Sequence, residues 1–290
     1  LIVLPLMKVP IWTDLSAVGG PASIFVQDQR PGGLRGHALL SPGGSSTKLY
    51  VIGGQMWNAS TQMWGDMSNR VYEADTLNVN ALVESSQAGT VMDKRVVWRR
   101  QQDCPPGVAV KDAASFSLEG RMWLHGGEVA EGTTSSSTWS LETFQAFDPL
   151  WTFHSSEPNP GPRKRHCAAV ANGKAYLFGG LVEDGVTADA SLWSLDDRPE
   201  VAWTVYPALP YSPPRVSSCA MAGLESQGRV FLYGGVLADG TLSNKLYQLT
   251  VSGETPAWKD ITVKGPMPRF GGTMIASPSF AYLYGGVAKF

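Results

Sequence analysis

Five short runs of alternating apolar and aromatic residues, each ending in a glycine pair, divide this chain. They read Lys48-Leu49-Tyr50-Val51-Ile52-Gly53-Gly54, Arg121-Met122-Trp123-Leu124-His125-Gly126-Gly127 and Lys174-Ala175-Tyr176-Leu177-Phe178-Gly179-Gly180. The last two are Arg229-Val230-Phe231-Leu232-Tyr233-Gly234-Gly235 and Phe280-Ala281-Tyr282-Leu283-Tyr284-Gly285-Gly286. The second glycines step by 73, 53, 55 and 51 residues. A period of roughly 50 residues with strand-like alternation excludes a helical solenoid and points to repeated small sheets.

The rest of each unit supplies the other strands. A small, apolar segment precedes each run, as in Cys167-Ala168-Ala169-Val170-Ala171 and Thr273-Met274-Ile275-Ala276. Such side chains suit an innermost strand near a narrow axis. Ala171-Asn172-Gly173-Lys174 reads as a tight hairpin turn, with Asn and Gly at the positions of positive φ. An aromatic in a third strand follows (Tyr72, Trp139, Trp193, Tyr247), and a tryptophan in a fourth (Trp98, Trp151, Trp203, Trp258). Four strands per unit predict an all-β fold, a β-propeller. Glycine pair, spaced aromatic and later tryptophan resemble the kelch repeat over nearly the whole chain. The glycines are expected to allow positive φ and close approach of the next blade. The aromatics are expected to fill the space between blades.

Five glycine pairs predict five blades, at about 35–100, 108–152, 163–205, 213–260, and 268–290 joined by 1–15; six is the alternative. In the last blade Leu1–Leu6 would be the third strand and Ile11–Leu15 the fourth, with Trp12 in the tryptophan slot. The apolar start is too short for a signal peptide or a membrane span, and its first residue, Leu, marks a processed or excised chain. Residues 16–34 read as loop with a short extended piece, Ile24-Phe25-Val26. Blade one has a longer loop after its glycines and a longer linker, 76–93, in which a helical turn or added hairpin would fit. A single domain of 290 residues results.

Net charge is −2, which argues against a general nucleic-acid or membrane-surface binder. There are three cysteines. Cys167 and Cys219 hold equivalent inner-strand positions and read as small buried thiols; Cys104 precedes Pro105-Pro106 in a loop. The odd count, without disulfide-like spacing, points to a reducing, intracellular compartment. Asn58-Ala59-Ser60, a glycosylation triplet, points to an extracellular or membrane-tethered fragment instead.

Because strands alternate in direction, loops leaving strand two share a face with segments leading into strand one. Those segments carry Arg35, Arg163, Lys164, Arg165, Arg215 and Arg269. Arginines read carboxylates by bidentate hydrogen bonds; the resemblance implies an acidic peptide as partner. The competing reading makes these arginines part of the repeat, bonded to backbone carbonyls. The blade-one loop adds Met56, Trp57, Met63, Trp64 and Met67, residue types that favour contact surfaces; the competing reading folds it back over its own blade. The candidate binding set is therefore Arg35, Met56, Trp57, Trp64, Arg163, Arg165, Arg215 and Arg269.

No catalytic residue, metal or cofactor is expected. The four histidines, His37, His125, His154 and His166, show no ligand-pair spacing. No phosphate loop, nucleophile elbow or CxxC pair is present. Glu128, Glu131, Asp184 and Asp239 lie in the same face loops. With the arginines they define the enzyme alternative, a sugar-acid epimerase or lyase. A third alternative is a docking subunit of a larger assembly. The favoured reading is a non-enzymatic module for protein recognition. If residues 1–15 complete the last blade, deleting them exposes a strand edge, and the truncated protein should aggregate or lose cooperative unfolding. A truncated chain that melts like the parent would remove the closed-ring reading.

Overall fold

The computed structural model describes residues 31–43, 46–75, 98–142, 150–182, 184–277 and 280–288. Four sheets of four antiparallel strands follow one another along these residues. The third is the simplest: Cys167–Ala171, Lys174–Phe178, Leu192–Asp196 and Ala202–Tyr206, side by side in chain order. Its first turn places Asn172 at φ 51° and Gly173 at φ 72°, the pair of positive values expected there. The first sheet holds Ala38–Leu40, Lys48–Ile52, Val71–Asp75 and Trp98–Arg100. The second begins at Ala114–Leu118 and ends at Leu150–His154; the fourth begins at Ala220–Leu224 and ends at Ala257–Asp260.

A fifth unit contributes Arg269–Ala276 and Ala281–Ala288, paired to each other. Among the described residues the second of these strands has no partner on its other side. The expected partners, Leu1–Leu6 and Ile11–Leu15 with Trp12, lie outside the described residues, as do 76–93 and Ile24–Val26. The closed five-bladed ring and its boundaries therefore stand as our proposal.

The core lies between sheets. The strand Arg121–His125 shows why. Met122 and Leu124 pack with Tyr50, Ile52 and Val71 of the first sheet. Trp123, on the opposite face, packs with Leu177, Leu195 and Trp203 of the third. Alternation along one strand thus buries both faces, which is why its burial is nearly continuous. Phe178, Leu232, Leu249 and Trp258 join the third and fourth sheets, and Tyr233 and Met274 the fourth and fifth.

The glycine pairs form the seams. In each of the first four, the second glycine donates to a carbonyl just ahead of the next inner strand: Gly54 to Val110 O at 2.8 Å, Gly127 to Arg163 O at 2.8 Å, Gly180 to Val216 O at 2.9 Å and Gly235 to Arg269 O at 2.8 Å. The first glycine faces the same carbonyl so closely that a Cβ would lie 2.7 Å from it at Gly53 and 2.5 Å at Gly126 and Gly234. At Gly285, in the last unit, a Cβ would meet nothing within 4 Å.

A second line of backbone bonds runs inside the seams. Gly36, Asp112, Arg165, Ser218 and Gly271 all have left-handed φ, between 54° and 66°. Each amide donates to the carbonyl of the one before it: Asp112 to Gly36 at 2.9 Å, Arg165 to Asp112 at 2.8 Å, Ser218 to Arg165 at 2.7 Å and Gly271 to Ser218 at 2.9 Å.

One sequence expectation is corrected at the inner strands. Cys167 and Cys219 are not separate thiols but a disulfide, with Cα atoms 6.0 Å apart, inside the range that bridged cysteines adopt. Their separation of 52 residues is one repeat, so equivalent positions on neighbouring inner strands become adjacent. Cys104 is a buried free cysteine, and burial pushes its thiol up to about 12.

A polar knot closes the seam between the second and third sheets. Trp203 Nε1 donates to Thr138 Oγ1 at 3.1 Å, and that hydroxyl meets His125 Nδ1 at 3.0 Å. The His125 ring packs edge-on to His166 at 5.5 Å. His125 Nε2 and both ring nitrogens of His166 have no hydrogen-bond partner among the described residues. Burial, reinforced by nearby Arg163, lowers His125 to about 3. Burial, then His125 and Arg163, lowers His166 as well.

Two outcomes are expected. Trp203→Ala should lower unfolding stability by about 3–5 kcal/mol, read by denaturant melts; a loss below about 1 kcal/mol would place Trp203 outside the core. Both histidines titrate near 6.5 when unfolded but lower when folded, so the unfolded chain binds more protons below that value. Their contribution is complete above pH 6.5 and falls as pH drops through it, by up to about 1.4 kcal/mol per pH unit for each group. His166→Asn should therefore flatten the stability–pH profile between about pH 6.5 and 5, above the range where carboxylates titrate. A slope equal to the parent's would show that His166 does not carry the effect.

Candidate functional site

Each of the first four glycine pairs turns the chain out of its sheet and into a small hairpin on one face. There the hairpin pairs with the segment leading into the inner strand of the same unit. Arg163–Lys164 pairs with Leu181–Val182, and Val216–Ser217 with Val236–Leu237. The two loop classes thus share a face, as strand alternation requires.

In the first unit this device is enlarged. Leu34–Arg35, Gln55–Asn58 and Met63–Met67 form a three-stranded sheet. Trp57 stands opposite Trp64, with ring centroids 5.2 Å apart at 67°. The Arg35 guanidinium lies 4.5 Å over the Trp64 ring, a cation–π contact. Arg35 Nε and Nη2 both donate to Gln55 Oε1, at 2.9 and 2.6 Å. Gly33 lies beneath Trp57, whose amide donates to its carbonyl at 2.8 Å. Trp57 is 40% and Met63 65% exposed; Met56 and Trp64 are half-buried. The insertion is a hairpin that keeps Trp57 and Met63 in solvent.

The arginines do not occupy one repeat position. Arg163 and Arg269 both stand two residues before a left-handed residue, Arg165 or Gly271. Both donate through Nη1 to the first glycine carbonyl of their own unit, Arg163 to Gly179 O at 3.1 Å and Arg269 to Gly285 O at 2.8 Å. Both donate through Nε to a preceding carbonyl, Pro160 O at 2.9 Å and Met267 O at 3.2 Å. Arg163 is also buried and paired with Asp189 at 3.0 Å. These two are bonded into the scaffold. Arg165 is exposed and meets Asp112 at 3.2 Å. Arg215 is exposed, with no side-chain hydrogen bond or ion pair to another described residue.

Buried charge ties the first three units together on this face. Glu128 accepts from Lys164 at 2.5 Å and pairs with Lys111 at 3.3 Å; Lys111 also donates to Gln55 at 3.4 Å. Burial pushes the Glu128 carboxyl up, but the two lysines outweigh it and hold the group below its ordinary value. Sequence reasoning missed Gln55, Lys111 and Asp112. Aligning the units at the separation of 53 that relates Arg165 to Asp112 would have set Lys111 and Asp112 against Lys164 and Arg165, while Gln55 follows its glycine pair as Glu128 does. It also missed Tyr211, 80% exposed and just ahead of Arg215.

His125 and His166 are buried, and His154 is half-buried, its Nε2 2.8 Å from Ser140 Oγ. Among the described residues no group of three or more His, Cys, Asp or Glu is placed to hold a metal ion.

Comparison with known proteins matches this geometry to a repeat family. Adagio-like protein 1 of Oryza sativa subsp. japonica is 27% identical over 212 residues, 67% of this chain and 33% of that protein. Host cell factor 1 of Homo sapiens is 30% identical over 210 residues, 63% of this chain and 10% of that protein. The chain thus spans a third or less of these relatives. The solved structure of YjhT superimposes with a TM-score of 0.65 at 17% identity, covering 90% of this chain and 74% of that one, a likeness of fold. The KLHDC2/KLHL20/DRC7 Kelch-repeats domain matches residues 36–286, through all five glycine pairs, and the chain belongs to this kelch-repeat family.

Proposed function

We propose that this kelch domain is a non-enzymatic module that binds a protein or peptide on its hairpin-bearing face. The observation that carries this is the Trp57–Trp64 pair, in which exposed Trp57 rests on Gly33 and against half-buried Trp64, itself stacked under Arg35. Aromatic and Met side chains kept in solvent on a rigid support suit an apolar anchor from a partner. Arg165 and Arg215 supply exposed positive charge on the same face, which suits carboxylates. The docking set is Arg35, Met56, Trp57, Trp64, Arg165 and Arg215. Arg163 and Arg269 support it from the scaffold. The partner motif is an acidic segment with an aromatic or aliphatic anchor.

Selection from a randomised peptide library tests this. It should enrich acidic sequences with one large apolar residue. Against the best binder, Arg215→Glu should lower affinity at least tenfold, since a charge-assisted hydrogen bond contributes about 1.5–3 kcal/mol. The melting temperature should stay near the parent's. The loss should shrink at high salt, where the Debye length falls to about 3 Å at 1 M. Trp57→Ala should also weaken binding while costing far less stability than Trp203→Ala. Arg269→Met should do the opposite, lowering the melting temperature with little effect on affinity once folded. Enrichment of basic peptides, or affinity indifferent to both Arg215→Glu and Trp57→Ala, would remove the proposal.

A further inference from the structure

We propose that Asn58 is an N-glycosylation site of a chain that folds in an oxidising compartment, where Cys167 and Cys219 are joined. Two features far apart in the molecule lead there.

The first is the hairpin tip. Asn58-Ala59-Ser60 is the one Asn-x-Ser/Thr triplet in the sequence, and its middle residue is not proline. Asn58 ends the strand Gln55–Asn58 and opens the turn 59–62, in which every residue is exposed. Its Oδ1 accepts from the amides of Ser60 at 3.0 Å and Thr61 at 3.2 Å. Its Nδ2, the atom that would carry the sugar, donates to no described residue. The hairpin has room for a glycan. Trp57 faces Trp64 across the ladder while the next rung pairs Asn58 with Met63. Successive rungs point to opposite faces. A glycan on Asn58 therefore shares its face with exposed Met63 and leaves the aromatic pair and Arg35 open.

The second feature is the disulfide between neighbouring inner strands. Disulfides persist in the compartments where N-glycans are added and are rare where thiols are kept reduced. The third cysteine, Cys104, is buried away from both, so three cysteines are one bridge and one enclosed thiol. The odd count that pointed to a reducing compartment is accounted for.

The chemistry balances with two co-reactants. A lipid-linked oligosaccharyl pyrophosphate supplies the glycan. Asn58 Nδ2 bonds to the sugar C1, the bond from C1 to the pyrophosphate oxygen breaks, and a base takes the amide proton. A disulfide-bearing oxidant accepts two electrons and two protons from Cys167 and Cys219.

The test is translation of the chain behind a cleavable secretion leader in the presence of endoplasmic-reticulum microsomes. The expected result is one mobility shift, reversed by peptide N-glycosidase, absent in Asn58→Gln and Ser60→Ala and more complete in Ser60→Thr. Modification is scored on the nascent chain, so a variant that folds poorly still reports. In parallel, the product is denatured without reductant and alkylated: one cysteine should react, and all three after reduction. No shift in the parent chain, or a shift that survives Asn58→Gln, overturns the glycosylation site. Three reactive thiols without reductant overturn the oxidised pair.

Discussion

The hydrogen bond from the second glycine of each of the first four pairs to a carbonyl of the next unit is the contact on which the other packing depends. It joins backbone to backbone, so the distance between neighbouring sheets is set before any side chain is chosen. The first glycine sits so near the same carbonyl that a Cβ at Gly126 would lie 2.5 Å from it. Any side chain there would push the sheets apart and open the layer that holds Trp123 and Trp203. Gly126 and Gly127 also have φ of 68° and 94°, values that L side chains rarely adopt. Close approach and backbone conformation thus demand glycine independently.

The same turn builds the hairpin-bearing face. A chain leaving the sheet with two residues at positive φ reverses outward, and the nearest unpaired backbone is the segment leading into its own inner strand. Pairing with that segment satisfies groups that would otherwise be left open. The face is then stiffened by charge: Glu128, between Lys111 and Lys164, links the second and third units, and Gln55 extends the link to the first.

Much of the architecture was legible because it follows from periodicity. The alternating runs became strands, the Asn172-Gly173 turn took the expected conformation, and the glycines took the expected roles. The arginines were harder to read, since nearness to an inner strand does not fix direction. Arg163 and Arg165 are two residues apart, yet one is buried against a carbonyl and the other exposed, because Arg165 sits at the left-handed residue that breaks the alternation. The disulfide escaped notice for a related reason. A separation of 52 residues looks distant along the chain and is adjacent only once the units are stacked. The first hairpin was expected as a loop because Met56, Trp57, Met63 and Trp64 show no clean alternation. A register shift near Gln55 and a positive φ at Gln62 explain the irregularity.

Repetition also indicates where variation is tolerated. The seams recur with little change from unit to unit, and a residue inserted there would displace a bonded carbonyl. The loop after a glycine pair meets the seam near its ends, where the carbonyls of Ser135, Asp189 and Ser243 accept from the amides of Arg163, Val216 and Arg269, so its tip can lengthen without displacing the bonded carbonyls. In the first unit it has lengthened and taken up two tryptophans and three methionines. Exposed aromatic groups on a flexible loop would lose conformational freedom on binding, at roughly 0.5–1.5 kcal/mol for each side chain immobilised. Here that ordering is already made by the cross-strand tryptophan pair, the glycine beneath Trp57 and the arginine stacked on Trp64. The unit that departs most from the repeat therefore also holds its exposed apolar surface in a fixed arrangement. That combination is what favours our docking proposal over an insertion that is merely tolerated.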